Sequence, residues 1–270
     1  MEYALYWDHD TEKISLAFHA RGSHRKIPIT QSSIERPEIF AAATNIVHNL
    51  NLRHEEARKY QSLLLRCDAT GQVSGGLFEN HQPHPVFPLL SDTILGQPYS
   101  YSPNGFFQIN LPVYEMALQS IKSHISTNKV IDLYSGVGTI GLSVVDRQDQ
   151  TKLLTLVEVD HSAYQELAKN ASLRPKPRPV TILARSEEVL DLIENDATII
   201  LDPPRAGCDS KLLSRLLAVT PPCIIYLSCN PATQARDVAI LLEKYHISTI
   251  ETYNFFPHTP HIENLVILTL

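Results

Sequence analysis

From about residue 96 the chain repeats one grammar: an apolar run of strand length stops abruptly at a polar or glycine-containing corner, and a helical stretch often follows. "KVIDLYSGVGTIGLSVV" reads as strand, glycine turn and helix start, and "LLTLVEVD" leads into "HSAYQELAKNASL". "ATIILDPPRAG" and "PCIIYLSCNP" are two more such runs, the second followed by the helical "ATQARDVAILLEKY". Apolar runs of this kind belong to strands buried on both faces, and strands alternating with helices form a mostly parallel sheet with helices on both sides. The last two runs, "ISTIETYNFF" and "NLVILTL", are joined by the short "PHTPHIE" and are expected to pair antiparallel.

The first part of the chain has another texture. "YALYWDHDTEKISLAF" and "SLLLRCDATGQVSGGLF" read as hairpins, the second turning near Thr70-Gly71. Between them "ERPEIFAAATNIVHNLNL" has helical spacing, with Ile39, Ala42, Ala43, Ile46, Val47 and Leu50 on one side. "NHQPHPVFPLL" is rich in proline and reads as a linker. The expected organisation is a small α+β module over residues 1–95, open to an RNA-binding role, followed by an α/β domain over 96–270.

Composition narrows the classes. The chain is 43% hydrophobic, enough for a real core. No apolar run approaches the ~18 residues that span a bilayer, and "MEYALYWDHD" does not read as a signal peptide, so the expectation is a cytoplasmic protein with no membrane partner. Cys67, Cys208, Cys223 and Cys229 form no C-x-x-C pair, which argues against structural zinc or an iron–sulfur cluster. The net charge of −6 argues weakly against tight phosphate binding. Two local basic runs leave it open: "RGSHRK", with Arg21, His24, Arg25 and Lys26, and "RPKPR", with Arg174, Lys176 and Arg178.

Ligands of open α/β sheets bind outside the carboxyl ends of the strands. The polar corners fall there: Asp132 to Gly138, Glu158 with Asp160, Asp202 to Arg205, and Ser228 to Pro231. The turn with Gly136 and Gly138 would let backbone approach a ligand, and Glu158, about 20 residues on, could accept hydrogen bonds from a ribose diol. That pairing suits NAD and S-adenosylmethionine alike. "DPPRAG" is a rigid corner, because each proline fixes its own φ and restricts the residue before it. Amino-group methyltransferases follow such a corner with an aromatic residue, whereas here Arg205 follows.

Five segments in order, "GFFQIN", "VIDLYSGVGTIGL", "VEVD", "LDPPRAGCDS" with "YLSCNP", and "FFPHTPHIENLVIL", resemble the uracil-5 RNA methyltransferases, which form 5-methyluridine in tRNA or ribosomal RNA. The resemblance covers roughly residues 100–270 well and the first hundred loosely. The pairing of Ser-Cys-Asn-Pro with the terminal "PHTPHIE" is its most specific part. It implies a Rossmann-like S-adenosylmethionine-dependent methyltransferase domain with a mostly parallel seven-stranded sheet and an antiparallel last strand. It also implies a short member of the family, without the N-terminal barrel or the four-cysteine cluster site, acting on RNA without a metal; a monomer is expected, although the sequence itself does not address oligomeric state. By the same resemblance Cys229 is the nucleophile and Glu263 the general base. Gln108, Tyr134, Gly136, Thr139, Glu158 and Asp202 line the cofactor, and Phe106 or Phe107, with Arg205, lies on the substrate side. Arg185 and Ser186 stand where an Asn or Asp often helps to hold the adenine.

The residue types suit the chemistry. Carbon 5 of uracil is a poor nucleophile, and a thiolate adding to carbon 6 activates it by covalent catalysis. A lowered thiol pKa would serve Cys229, and a raised carboxyl pKa would serve Glu263, which must take the carbon 5 proton. His258 and His261 flank that carboxyl as hydrogen-bonding loop residues, with ligands or proton carriers as the alternatives. The rival readings are an inactive RNA-binding or folding factor with this fold, and a methyltransferase acting on a small molecule or DNA.

Overall fold

The computed structural model describes residues 1–270 apart from 55–58, 80–81, 85–86, 147–148, 150–151 and 258, together with the side chains of 82–84. The described residues fall into two compact units, Met1–Asp92 with Ser100–Phe106, and Thr93–Tyr99 with Phe107–Leu270.

The first unit is a six-stranded sheet in the order β3-β2-β1-β4-β5-β6. Its strands are β1 (Glu2–Asp8), β2 (Lys13–His19), β3 (Lys26–Pro28), β4 (Ser62–Cys67), β5 (Val73–Glu79) and β6 (Gln82–His84), and each neighbouring pair is antiparallel. Helix α1 (Pro37–Leu52) starts on a proline, whose fixed φ suits a first helical position. It turns Ile39, Ala43, Val47 and Leu50 onto Leu5, Ile14, Leu16, Leu63 and Leu65 of the sheet. Both expected hairpins form, as β1–β2 and β4–β5. The second is closed by buried Asp68, whose Oδ1 accepts the N–H groups of Thr70 (2.9 Å) and Gln72 (3.0 Å). The linker reading of "NHQPHPVFPLL" lies partly outside the described residues. Its described ends instead supply β6 and the start of β7 (Leu90–Ile94), which forms a hairpin with β8 (Gln97–Tyr101). Leu95 and Gly96 turn that hairpin with positive φ values of 47° and 76°, as a type I′ connection requires.

The second unit carries the seven-stranded sheet β11-β10-β9-β12-β13-β15-β14. Strands β9 (Lys129–Leu133), β10 (Leu153–Glu158), β11 (Val180–Leu183), β12 (Ala197–Leu201) and β13 (Cys223–Ser228) run parallel. β15 (Glu263–Thr269) lies antiparallel between β13 and β14 (His246–Tyr253). β12 and β13 are buried along their whole length, which explains why their sequences are apolar without alternation. Helices α5 (Ser210–Val219) and α6 (Pro231–Leu241) bring Leu212, Leu213, Leu216, Val238 and Leu241 onto one face, against Ile131, Leu133, Ile199, Leu201 and Tyr226. Each such side chain stabilises by ~1.5–3 kcal/mol on full burial. α2 (Leu111–Ser123), α3 (Thr139–Val144) and α4 (His161–Ser172) complete the unit, with α2 on β14, α3 on β9 and β10, and α4 on β10 and β11.

The "RPKPR" run is not a uniform basic surface. Arg174 is buried, and its guanidinium donates to Leu142 O (2.9 Å), Val145 O (2.6 Å) and Gln97 Oε1 (3.0 Å), which closes the end of α3. Lys176 and Arg178 remain exposed.

Candidate active site

The rim at the carboxyl ends of β9, β10, β12 and β13 collects most of the polar residues singled out from the sequence. After β9 the backbone doubles back through left-handed residues at Tyr134 (φ 65°), Gly136 (57°) and Gly138 (91°). Tyr134 is the exception to the rule that only glycine adopts such angles freely. A Cβ on Gly138 would come within 2.7 Å of Leu167 and 2.8 Å of Leu142, whereas one on Gly136 would meet open space. Glycine is therefore needed at 138 for packing as well as for its angle.

Glu158 holds this turn from β10. Its Oε2 accepts the N–H of Gly136 (2.7 Å), and its Oε1 accepts those of Val159 (2.8 Å) and Asp160 (2.7 Å). Of the roughly four lone-pair positions on a carboxylate, three are thereby engaged and one is left for a ligand hydroxyl. Asp160 also caps α4, accepting from Ala163 N at 2.8 Å. Thr139, the first residue of α3, bonds through its hydroxyl to that of buried Tyr114 at 2.8 Å. Ser186 is buried, while Arg185 is exposed and donates to Glu187 Oε1 (2.8 Å).

Two buried polar atoms on these segments have no partner among the described residues: Gln108 Oε1 and Asp132 Oδ1. Unpaired buried acceptors are costly, so such atoms mark positions where a ligand can supply the missing bond. Asp132 is fully buried in β9, and its Oδ2 accepts the N–H of Gly141 (2.8 Å). Burial, with Asp202 and Glu158 adding to it against that bond, pushes its carboxyl up to about 8. The unpaired atoms, the last acceptor position of Glu158 and the open side of Gly136 fit a polar nucleoside-type cofactor. Phe107 is buried at 4% exposure and Phe106 stands out at 68%, so the two adjacent aromatics divide between core and surface.

The corner after β12 is fastened to α6. Asn230 Nδ2 (2.9 Å) and Thr233 Oγ1 (3.1 Å) both donate to Arg205 O, and Arg236 Nη2 donates to Ala206 O (3.0 Å). Fully buried Asp237 accepts the N–H of Cys208 (2.8 Å) and the hydroxyl of Tyr226 (2.8 Å). Gly207, at φ 83°, passes so close that a Cβ would lie 2.5 Å from Asp237 Oδ2. Burial pushes Cys208 up to about 12, which makes it an inert packing thiol. The Arg205 side chain reaches the exposed His261, its Nη2 donating to Nδ1 at 3.3 Å. His258 lies outside the described residues.

Cys229 and Glu263 come from neighbouring strand tips. The β13–β15 ladder ends at the pair Ser228–Asn264, with Cys229 the first residue past β13 and Glu263 the first residue of β15, where it pairs with Tyr253 of β14. Glu263 is buried, and burial with the charge of Asp202 pushes its carboxyl up to about 8 against the opposing pull of Arg205. Burial alone pushes Asp202 up to about 7. Cys229 departs from expectation. Its thiol is raised rather than lowered, by burial first and then by the charges of Glu263 and Asp202, with Arg205 opposing. Burial is the main reason, because it disfavours any charged form, and the acids around the sulfur add to it as like charges. One electrostatic neighbourhood therefore contains Cys229, Glu263, Asp202 and Arg205. Among the described residues no group of His, Cys, Asp and Glu could hold a metal ion, and no helix is long and apolar enough to cross a membrane.

Sequence reasoning did not select Asp132, Gln234 or Asp237 as site residues. The signal for Asp132 was a carboxylate inside an apolar strand. For the others it was two polar residues three apart on the inward side of a helix that begins at the Ser-Cys-Asn-Pro corner.

Residues 183–270 match the family model "tRNA (Uracil-5-)-methyltransferase", and 114–220 match "Methyltransferase small domain". An RNA methyltransferase of Staphylococcus aureus is 34% identical over 271 residues, covering 96% of this chain and 54% of that protein. One from Prochlorococcus marinus is 35% identical over 217 residues, covering 72% of this chain and 50% of its own length. The chain thus spans about half the length of these relatives. The crystal structure of Pyrococcus abyssi tRNA (uracil-54, C5)-methyltransferase, in complex with S-adenosyl-L-homocysteine, shares the fold with a TM-score of 0.79. It is 22% identical, and the match covers 100% of this chain and 75% of that one. By these matches the chain is similar to RNA methyltransferases along 96% of its length, and to the tRNA (uracil-5-)-methyltransferase family model over residues 183–270.

Proposed function

We propose that this chain methylates carbon 5 of a uridine in tRNA or ribosomal RNA, with S-adenosylmethionine as the methyl donor. The observation that carries the reading is the pairing of a thiol and a carboxyl on adjacent antiparallel strand tips, Cys229 beyond Ser228 and Glu263 before Asn264, in one field with Asp202 and Arg205. Gln108, Tyr134, Gly136, Thr139, Glu158 and Asp202 would hold the cofactor, with Asp132 added for its unpaired Oδ1. S-adenosylmethionine supplies an electrophilic methyl group.

Cys229 Sγ, as thiolate, forms a bond to carbon 6 of the pyrimidine and pushes electron density to carbon 5. Once carbon 5 is methylated it still carries a hydrogen. Glu263 takes that proton, the electron pair re-forms the 5,6 double bond, and the bond from carbon 6 to sulfur breaks to release the thiolate. Exposed Phe106 is the aromatic available to stack on a base, since a ring atom under attack must leave its helical stack. Arg205 offsets the negative charge that Cys229 and Glu263 each acquire in turn.

The test is transfer of labelled methyl groups from S-adenosylmethionine to unmodified tRNA and ribosomal RNA transcripts. Wild-type protein should label at least one of them, and Cys229→Ala should abolish the label. Full labelling by Cys229→Ala would end the reading, and tight RNA binding by wild type without any methylation would favour the inactive binding factor.

A further inference from the structure

Helix α6 starts from the corner that carries Cys229, and one residue on it reaches both strand tips. Gln234 is 1% exposed. Its Nε2 donates to Tyr226 O on β13 (2.8 Å) and to Asn264 O on β15 (3.0 Å). Its Oε1 accepts from Asn264 Nδ2 (2.7 Å), so both amide protons and the amide oxygen are engaged. Asn264 is held on its far side by Thr252 Oγ1, which donates to its Oδ1 at 3.0 Å. The backbone N–H of Gln234 donates to Asn230 O (3.1 Å), so the same residue is also tied to the Cys229 corner.

These bonds fall on the last rung of the ladder and two residues inside it. Ser228–Asn264 is the last β13–β15 pair, and Glu263 lies one step past it on that side. Tyr226 lies inside that ladder and Asn264 on its last rung, so Gln234 braces the spacing of the two strands up to the rung next to Cys229 and Glu263. The amide of Gln234 measures that spacing. It is two-sided, donor and acceptor, and so resists both separation and slippage of the tips.

We propose that Gln234 is a positioning residue that sets the Glu263 carboxyl against the Cys229 sulfur. This rests on the roles given to those two residues above. The groups facing the pair are Asp202 and Arg205 from the corner after β12, the latter also bonded to His261. A side chain of similar size without the amide, in Gln234→Met, would leave two backbone carbonyls without these donors and release the tip of β15.

The deciding measurement is independent of RNA. The rate of Cys229 alkylation by iodoacetamide is followed against pH by mass spectrometry of the peptide, in folded protein, for wild type, Glu263→Gln and Gln234→Met. Removing the carboxylate in Glu263→Gln should lower the pH midpoint. Gln234→Met should move the midpoint the same way, because the carboxylate has drifted from the sulfur. Methyl transfer, where wild type shows it, should fall by about tenfold or more in kcat with KM little changed, as expected for a misplaced reacting group. Asn264→Ala, which keeps the two bonds from Gln234 to backbone carbonyls, should show a smaller shift and serves in its place if Gln234→Met does not fold. A midpoint in Gln234→Met, or in Asn264→Ala where it stands in, equal to that of wild type while Glu263→Gln shifts would overturn the proposal, as would a Glu263→Gln variant with no shift at all. Absence of methylation by wild type would remove the functional reading and leave this geometric test standing.

Discussion

Replacing Glu263 by glutamine should make the folded chain more stable, and increasingly so as the pH rises. The carboxyl goes from an ordinary 4.5 to about 8 on folding, because it is buried and lies near Asp202. At ~1.4 kcal/mol per pKa unit that shift is an upper bound of ~5 kcal/mol, and solvent screening at a strand tip reduces it to ~2–3 kcal/mol. The sign follows from proton counting. Between these two pH values the folded chain holds the proton and the unfolded chain has lost it, so folding stability falls with rising pH. The contribution is fully present below the unfolded value and is lost by the time pH passes the folded one. Glutamine resembles the protonated acid in shape and never ionises. Asp202 and Asp132, pushed up to about 7 and about 8, titrate in both proteins and largely cancel. Urea unfolding of wild type and Glu263→Gln at about pH 4.5 and about pH 9 should therefore give similar midpoints at the lower value. At the higher one a gap of ~2–3 kcal/mol should favour the variant. Parallel loss of stability in both proteins would show that the carboxyl is not held in a charge-excluding site, and the reasoning about its raised pKa would fail.

Two other perturbations probe the same rim. Asp237→Ala removes an acceptor that serves Cys208 N–H, the Tyr226 hydroxyl and Arg236 Nε (2.9 Å) and Nη2 (2.7 Å). Leaving buried donors unpaired should cost ~3–5 kcal/mol in urea unfolding, and a loss below ~1 kcal/mol would contradict the anchoring role given to Asp237. Arg205→Met removes the cation that pulls both Cys229 and Glu263 down, so the alkylation midpoint of Cys229 should move to higher pH. An unchanged midpoint would mean that the guanidinium does not act on the sulfur.

The parallel core was legible because β9, β10, β12 and β13 are mostly apolar and lead into corners with Gly, Glu, Asp-Pro-Pro and Ser-Cys-Asn-Pro, signals that depend on local sequence alone. β11 was not legible: Val180–Leu183 is a short edge strand with two of its four residues exposed, too brief to show a pattern. The β7–β8 hairpin was read partly as linker because prolines hide strand character, and the turn that reveals it, Leu95-Gly96, lacks the usual Asn or Asp. At the site, sequence order suggested the residues, but their fastening was invisible. That Asp237 and Gln234 hold two different strand corners from a single helix follows from the tertiary placement of α6. The direction of the Cys229 shift was missed for the same reason, since it is set first by burial in the fold and then by acids that arrive from the corner after β12 and from β15.

That raised thiol has a chemical logic on the proposed reaction. The sulfur must be negative when it adds to carbon 6, and Glu263 must be negative later, when it takes the proton from carbon 5. Between these moments the sulfur is a neutral thioether. Because the charge of Glu263 disfavours the Cys229 thiolate, the site resists holding both charges at once. Addition then favours molecules in which Glu263 is protonated; once the thioether has removed the sulfur's charge, Glu263 releases that proton to solvent and becomes the carboxylate that takes the proton from carbon 5. One guanidinium, Arg205, opposes both shifts and can offset whichever charge is present. A lone lowered thiol would not impose that order, whereas a thiol and a carboxyl held at adjacent strand tips do so through their mutual repulsion.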